Sequence, residues 1–330
     1  MPSPAIVIGH RARTGVLGVL LLALVASAGA AAAATFTVPD EDLPVPLVMV
    51  AYGDTRFTDT RETVASQPQV RQALIARIAA LHPAAVFLNG DLPWHGNPGD
   101  YAVYRDETSV WRDAHLRIYP ALGNHEFATC DEPQCLEYWW DTFPELRSRR
   151  WYSVALGQKI MAIMLDSNAS LLPNTEQRSW LEQQIAGMSR KVRGVLIVLH
   201  HPPVADIQTG DLADHNPRPN ESSLADYLDE VAPRSHARFF VSAGHTHNYE
   251  RFRRHGVVYL VSGGGGAHPY PVERGPHDLY RSPEFPNYHY VRLELRAGAL
   301  VAEMFRLADY AAAAPAAWEL KDRFELKLRP

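Results

Sequence analysis

Short apolar runs rich in β-branched residues recur along this chain, and the intervals between several of them are long enough for a helix. Such runs are typical of strands that are buried on both faces of a sheet. They lie at 47–52, 85–88, 118–122, 159–165, 195–199, 239–243 and 257–261. Because strands that alternate with helices bury their apolar faces against those helices, the pattern predicts an α/β fold.

Helical periodicity fills several of the intervals. Val70, Leu74 and Ile78 recur on one face of a helix, while neighbouring charged residues fall on other faces. Similar spacing occurs twice more, and the helices are predicted over 69–81, 175–187 and 222–231. Each of them would cover one face of the predicted sheet.

The closing part of the chain predicts a hairpin. Apolar and polar residues alternate over 288–295 and 300–307, and an Ala-Gly pair between them supplies the turn. No internal repeat or change in composition interrupts the chain before this point. We therefore predict a single domain over 35–330, with its core at about 45–307 and a short C-terminal tail.

The first 34 residues differ in character from the rest. Arg11 and Arg13 precede a run of Leu, Val, Ala and Gly over 15–34 that ends in small residues. A positive head, an apolar stretch and a small-residue end are typical of a secretory signal, and a retained membrane anchor is the alternative. We predict a signal peptide over 1–34. The remaining chain is then expected in the periplasm or outside the cell, with no stable membrane partner.

The charge balance excludes one class of partner. The chain has 32 Lys and Arg against 37 Asp and Glu, and loss of the two arginines of the signal segment leaves a formal charge of −7. A negative domain has no electrostatic attraction for a phosphate backbone. Nucleic acid is therefore not expected as a partner.

The two cysteines, Cys130 and Cys135, lie close together in a loop that contains proline. In an exported protein such a pair is expected to form a disulfide, and two free thiols are the alternative. A cysteine-based metal site would require a second pair, which the sequence lacks.

Residues of metal-binding type follow the predicted strands directly. The carboxyl ends of strands in an α/β sheet form the crevice where ligands bind. Carboxylate, amide and imidazole groups there would suit ions such as Fe, Mn or Zn. Any one motif could be a turn or a surface histidine, but five such loops together favour a metal site. The residues are Asp54, Asp91, Asn124, His125, His200, His201, His245 and His247.

The order of these motifs, GD, GD, GNHE, a strand ending in His and then GHxH, resembles the calcineurin-like metallophosphoesterase superfamily. Residues 244–251 and the glycines of 263–266 are similar in particular to the purple acid phosphatase branch. The resemblance covers about 45–307. It implies a four-layer α/β/β/α sandwich built from two mixed β-sheets.

The resemblance also implies a centre of two metal ions, with Fe, Mn and Zn as candidates. A bridging hydroxide would attack phosphorus, the two cations would stabilise the transition state, and His125 would protonate the leaving group as general acid. The implied ligands are Asp54 and His247 for the first ion, Asn124, His200 and His245 for the second, and Asp91 for both.

The activity that the resemblance implies is hydrolysis of phosphate monoesters, as in an acid phosphatase. The phosphate group would be attached to a small molecule or to a protein. The motifs fix attack at phosphorus but not the group attached to it. A phosphodiesterase or nucleotidase on the same centre is therefore one alternative. A phosphate-binding protein with impaired catalysis is an alternative from another class.

Two positions depart from the family pattern. Arg56 stands where most of the superfamily has a His two residues after the first Asp, and Trp94 stands where purple acid phosphatases have a Tyr ligand. Neither side chain can ligate a metal, so the first ion is expected to bind weakly and without a purple tyrosinate colour. His95 could supply the missing nitrogen, or it could be a loop histidine that faces solvent.

Three further residues are candidates for the substrate side of the pocket. Arg56 could hold an oxygen of a substrate phosphate, or it could form a structural ion pair with Asp59 or Glu62. His201 follows the predicted ligand His200 and is expected in the pocket wall. His215 lies in the segment where purple acid phosphatases often carry a further acid-base histidine.

Overall fold

The computed structural model describes residues 34–282, 284–311 and 316–329. The predicted signal peptide over 1–34 lies outside the described residues, except for Ala34. Among the helices of the described part, none has the length and apolar character that crossing a membrane requires.

Most of the described strands are short, and most of the strand residues are buried. In chain order they are β1 (Phe36–Val38), β2 (Leu47–Tyr52), β3 (Ala85–Leu88), β4 (Ile118–Pro120), β5 (Tyr152–Leu156), β6 (Ile160–Met164), β7 (Gly194–Val198), β8 (Arg238–Ala243), β9 (Tyr249–Arg254), β10 (Val257–Ser262), β11 (His289–Arg296), β12 (Ala299–Leu307) and β13 (Trp318–Lys327). The α-helices are α1 (Pro68–Leu81), α2 (Pro98–Glu107), α3 (Ser109–Asp113), α4 (Glu132–Thr142), α5 (Glu176–Gly187) and α6 (Pro219–Val231).

The strands form two mixed sheets. The first has the order β1-β5-β6-β7-β8-β10-β9, and the second has the order β13-β12-β11-β2-β3-β4. Strands β2, β3 and β4 are mutually parallel in the second sheet, as β6, β7 and β8 are in the first. All the predicted strands and helices are present, and β11 and β12 form the predicted antiparallel hairpin.

The sheets pack face to face, with helices on the outside of each. On α1, Val70, Leu74 and Ile78 of the predicted apolar face are fully buried against the second sheet, and Leu81 is partly buried there. On the opposite side of the molecule, Leu181 of α5 and Leu224 of α6 pack against the first sheet. Burying one such leucine stabilises the fold by roughly 1.5–3 kcal/mol, so these stripes fix which face of each helix turns inward. The predicted four-layer α/β/β/α sandwich is confirmed.

The sheets extend beyond the limits predicted for the core. Strand β1 lies before position 45, and β13 pairs with β12 after position 307, where only a tail is predicted from the sequence. Strand β13 lies at the edge of its sheet, and most of its side chains are at least partly exposed. Its charged sequence is suited to a solvated edge, and it therefore lacks the apolar run by which the buried strands were predicted.

Cys130 and Cys135 are joined by a disulfide, as predicted. The bond ties the loop before α4 to the first turn of that helix. The Cys130 sulfur also lies 3.7 Å from the carbonyl oxygen of Gly96. The crosslink thus braces the loop that carries Trp94 and His95.

His289, at the start of β11, is fully buried as a neutral ring. Its Nδ1–H donates to the carbonyl oxygen of Asn287 and its Nε2 accepts from the hydroxyl of Ser262, both at 3.0 Å. Burial lowers the pKa of His289 from 6.5 to about 4. The unfolded chain therefore takes up the proton at a higher pH than the folded protein. The free energy of unfolding consequently falls as the pH drops from about 6.5 towards 4.

We expect acidification from pH 7 to about pH 4 to lower the free energy of unfolding by about 3 kcal/mol through His289, since one pKa unit corresponds to about 1.4 kcal/mol. Urea unfolding of His289→Gln at several pH values should show a smaller loss than the wild type. The exposed His277 provides a control, since His277→Gln should follow the wild-type profile. Parallel profiles for His289→Gln and the wild type would contradict the assignment.

Candidate metal centre

The predicted ligands converge where the carboxyl ends of the central strands of both sheets meet. Asp54, Asp91 and His200 each offer a donor atom within 4.8 Å of the others, and all three are fully buried. His200, His201 and His245 form a second group that meets the same limit. Two of these residues belong to loops of one sheet and three to loops of the other, so the packing of the sheets assembles the site.

His200 lies at the centre of the group. Its Nδ1–H donates to the carbonyl oxygen of Asn89 at 2.9 Å, which leaves Nε2 as an acceptor. That Nε2 lies 2.9 Å from Asn124 Oδ1, 3.2 Å from His245 Nδ1 and 3.3 Å from Asp91 Oδ1. An imidazole lone pair, an amide oxygen and a carboxylate repel one another unless a cation lies among them. This donor set therefore fits a divalent metal ion.

The surroundings of Asp54 also fit a bound metal ion. Both of its carboxylate oxygens accept the backbone N–H of His245 at 3.1 Å, and His247 Nε2 lies 3.5 Å from Oδ1. Among the residues that the structure describes, no Lys or Arg forms an ion pair with Asp54. Burial accordingly raises the pKa of this carboxyl to about 7. A metal ion would supply the positive charge that a buried carboxylate needs.

The backbone of the site is strained where the ligands leave the sheets. Asp54, Asp91 and His245 have positive φ angles of 64°, 55° and 71°, a region that side chains other than glycine seldom adopt. Two neighbouring glycines allow the close packing, because a Cβ on Gly123 would collide with Asp91 Oδ1, and one on Gly244 would collide with Asp54 Oδ2. Such strain is characteristic of functional sites, where it holds side chains in fixed positions.

His125 lies beside the cluster, and its ring is oriented by Trp94. Its backbone N–H donates to Asp91 Oδ1 at 2.9 Å, while its ring Nδ1–H donates to the carbonyl oxygen of Trp94 at 2.7 Å. The ring stacks on the Trp94 indole, with centroids 4.7 Å apart and planes at 18°. Its Nε2 lies 4.0 Å from Asp91 Oδ2. Burial lowers the pKa of His125, while the Asp91 carboxylate opposes that shift.

His247 faces an arginine as well as Asp54. Its Nδ1–H donates to the carbonyl oxygen of His268 at 2.8 Å, so Nε2 is an acceptor. Arg56 Nη2 lies 3.1 Å from this Nε2 and 2.9 Å from Asp91 Oδ2. Arg56 therefore forms an ion pair, as one of the two predictions has it, but its partner is Asp91 and not Asp59 or Glu62. Asp59 binds Arg61 instead.

The remaining candidates divide into two groups. His201 and His215 lie at the cluster, with ring centroids 4.3 Å and 4.8 Å from that of His245. His95 is directed elsewhere: its Nδ1 lies 3.4 Å from Asp100 Oδ2, and its side chain is 42% exposed. The expected alternative in which His95 completes the first site therefore has no support in this geometry.

Two residues that hold the ligand loops are not among those predicted from the sequence. The buried Glu126 carboxylate accepts the backbone N–H groups of Gly123, Leu92 and Asp91 at 2.7, 2.9 and 3.1 Å, which ties two ligand loops together. Asn89 orients His200 and also donates to the carbonyl oxygen of Ala243 at 3.1 Å. The Glu of the GNHE motif was a signal for the first of these residues, whereas nothing local indicated Asn89.

This fold and this cluster of carboxylates and imidazoles define a metallophosphoesterase. The sequence model of the calcineurin-like phosphoesterase family matches residues 53–249, which is more than half of the chain. The chain therefore belongs to the calcineurin-like phosphoesterase family. The predicted enzyme class, a hydrolase of phosphate ester bonds, is confirmed at this level.

Solved structures share the fold at low sequence identity. Purple acid phosphatase PPD1 from yellow lupin (Lupinus luteus) seeds superposes with a TM-score of 0.67 at 17% identity, over 85% of this chain and 53% of that one. The chain thus spans about half the length of that phosphatase. A dimetal phosphatase from Danio rerio gives a TM-score of 0.59 at 12% identity, over 86% of this chain and 99% of that one.

A third similar structure is GAP50, described as the anchor in the inner membrane complex of Plasmodium. It gives a TM-score of 0.59 at 14% identity, over 86% of this chain and 89% of that one. No curated protein sequence matches the chain. At these identities the likenesses establish the fold, and the activity has to be argued from the site.

Proposed function

We propose that this protein is an exported phosphomonoesterase of the acid phosphatase type, which works at a metal centre with His125 as general acid. The observation that supports this most strongly is the cluster of carboxylate, amide and imidazole donor atoms around His200, beside a histidine whose ring is oriented by the Trp94 carbonyl. When bound, a metal ion supplies positive charge at the phosphoryl oxygens and lowers the pKa of a water.

The chain's own residues would act on the leaving group. With its Nδ1–H held by the Trp94 carbonyl, His125 presents Nε2 towards Asp91, and in the protonated ring this atom carries a proton. That proton can pass to the oxygen of a departing alcohol, which is a poor leaving group as an alkoxide. Because burial lowers the pKa of His125, the protonated form requires acidic conditions, which agrees with an acid phosphatase.

The wall of the pocket would contact the rest of the substrate. His201 is held by a 2.8 Å hydrogen bond between its Nδ1 and the Ser167 hydroxyl. His215 packs against the ring of Tyr270, with centroids 4.7 Å apart. We assign both histidines to the substrate side, and the substrate is a phosphate ester on a small molecule or a protein. The formal charge of the chain argues against a nucleic acid partner.

The test of this activity compares esters. The purified protein is assayed on p-nitrophenyl phosphate and on bis(p-nitrophenyl) phosphate after incubation with Mn²⁺, Zn²⁺ or Fe. We expect clear preference for the monoester. Preference for the diester would favour the phosphodiesterase or nucleotidase alternative. Absence of turnover with every metal would favour the phosphate-binding alternative.

Export is part of the same proposal. The apolar run over 15–34, preceded by Arg11 and Arg13, supports a cleaved signal. The Cys130–Cys135 disulfide agrees with an oxidising compartment such as the periplasm or the extracellular space.

A further inference from the structure

We propose that the Arg56 guanidinium takes the place of one of the two metal ions, so that the centre binds a single ion beside a fixed arginine. The inference rests on the metal site of the proposed function. It concerns the number of bound ions and not turnover, so it can be tested separately.

Arg56 contacts two of the three ligands that the family pattern implies for the first ion. Its Nη2 lies 2.9 Å from Asp91 Oδ2 and 3.1 Å from His247 Nε2. Because His247 donates its Nδ1–H to the His268 carbonyl, its Nε2 lone pair accepts a hydrogen from the guanidinium. A metal ion bound by His247 and Asp91 would need those same lone pairs. The arginine and a first ion therefore exclude each other.

The arginine is fixed and is not a mobile surface residue. Its φ angle is 51°, its backbone N–H donates to the Asp91 carbonyl at 3.0 Å, and its own carbonyl accepts from Ser66 Oγ and Arg71 Nη1, both at 3.2 Å. Its side chain is only 9% exposed. The backbone thus directs the guanidinium into the pocket.

The two departures from the family pattern contact each other. The Arg56 Cζ lies 4.9 Å from the centre of the Trp94 ring, a distance at which a desolvated cation is attracted to an indole. A tyrosine ligand at position 94 would serve a metal ion, whereas a tryptophan there packs against a guanidinium. Arg56 and Trp94 therefore act as one unit that replaces an ion and its ligand.

The remaining donors suffice for one ion. Asp54 lies within 4.8 Å of Asp91 and His200, and Asn124 and His245 complete the group around His200 Nε2. A divalent ion at this position and the guanidinium together exceed the charge of the two carboxylates. The pocket therefore stays positive and can attract a phosphate group.

The test counts bound ions. The protein as it is purified after export is dialysed to equilibrium against a saturating concentration of Mn²⁺. Bound metal is then measured by mass spectrometry. We expect one ion per chain for the wild type and two for Arg56→His, which supplies a ligand in place of the cation. Arg56→Ala, which only removes the cation, should bind a second ion more weakly. Arg61→His is the matched control, because Arg61 is exposed and binds Asp59. The Arg61→His protein should bind one ion.

Electron paramagnetic resonance gives an independent readout. Wild-type protein with Mn²⁺ should give the hyperfine pattern of an isolated ion, and Arg56→His should give the spectrum of an exchange-coupled pair. Two ions in the wild type would overturn the proposal, as would one ion in both Arg56 variants. If the wild type binds no ion, both the metal centre of the proposed function and this inference are wrong. If the wild type is active and binds two ions, only this inference is wrong.

Discussion

His200→Ala should remove the bound ion and the hydrolysis of every phosphate ester together. His200 Nε2 lies within 3.3 Å of Asn124, Asp91 and His245, so it is the donor that the others surround. Loss of a residue that merely orients a ligand costs roughly 10–100-fold in metal affinity, and loss of a ligand itself should cost more. Turnover should fall at least as far, because the proposed hydrolysis depends on the bound ion.

The measurement pairs metal content with rates on p-nitrophenyl phosphate and on an alkyl phosphate. The exposed His277 serves as a control, and His277→Ala should retain both metal and activity. A thermal unfolding curve should show that His200→Ala remains folded. Retention of full metal content with lost activity would show that His200 is not a ligand.

His125→Ala should have the opposite signature, with retained metal and lost turnover. Its ring nitrogens contact the Trp94 carbonyl and approach Asp91 only to 4.0 Å, so it is not required to hold an ion. Losing a positioned proton donor lowers the rate by roughly 10²- to 10⁴-fold. The loss should be large for an alkyl phosphate and much smaller for p-nitrophenyl phosphate, because nitrophenolate leaves without needing a proton.

A nearby histidine gives a stringent control for this experiment. His95 follows Trp94 in the same loop but faces Asp100, so His95→Ala should change neither metal content nor the ratio of rates on the two esters. If His125→Ala loses metal, or loses activity equally on good and poor leaving groups, the general-acid assignment is wrong.

The local features of the sequence determined the layers of the fold and the loops that carry the site. Buried strands require continuous apolar runs and helices require an apolar stripe, so the central strands and the helices α1, α5 and α6 were predictable. Each candidate ligand directly follows a strand or lies within a motif, and the common edge of parallel strands predicted their convergence. Cys130 and Cys135 are close enough in sequence for their disulfide to be predicted as well.

Contacts between distant segments were decided only by the tertiary structure. Arg56 and His247 are 191 residues apart, and their hydrogen bond depends on how the two sheets pack and how each strained loop leaves its strand. From the sequence alone, Arg56 could either bind a substrate phosphate or form an ion pair with a residue close to it in the chain. Strand β13 was also missed, because a solvated edge strand is held by backbone pairing with its neighbour and needs no apolar run to form.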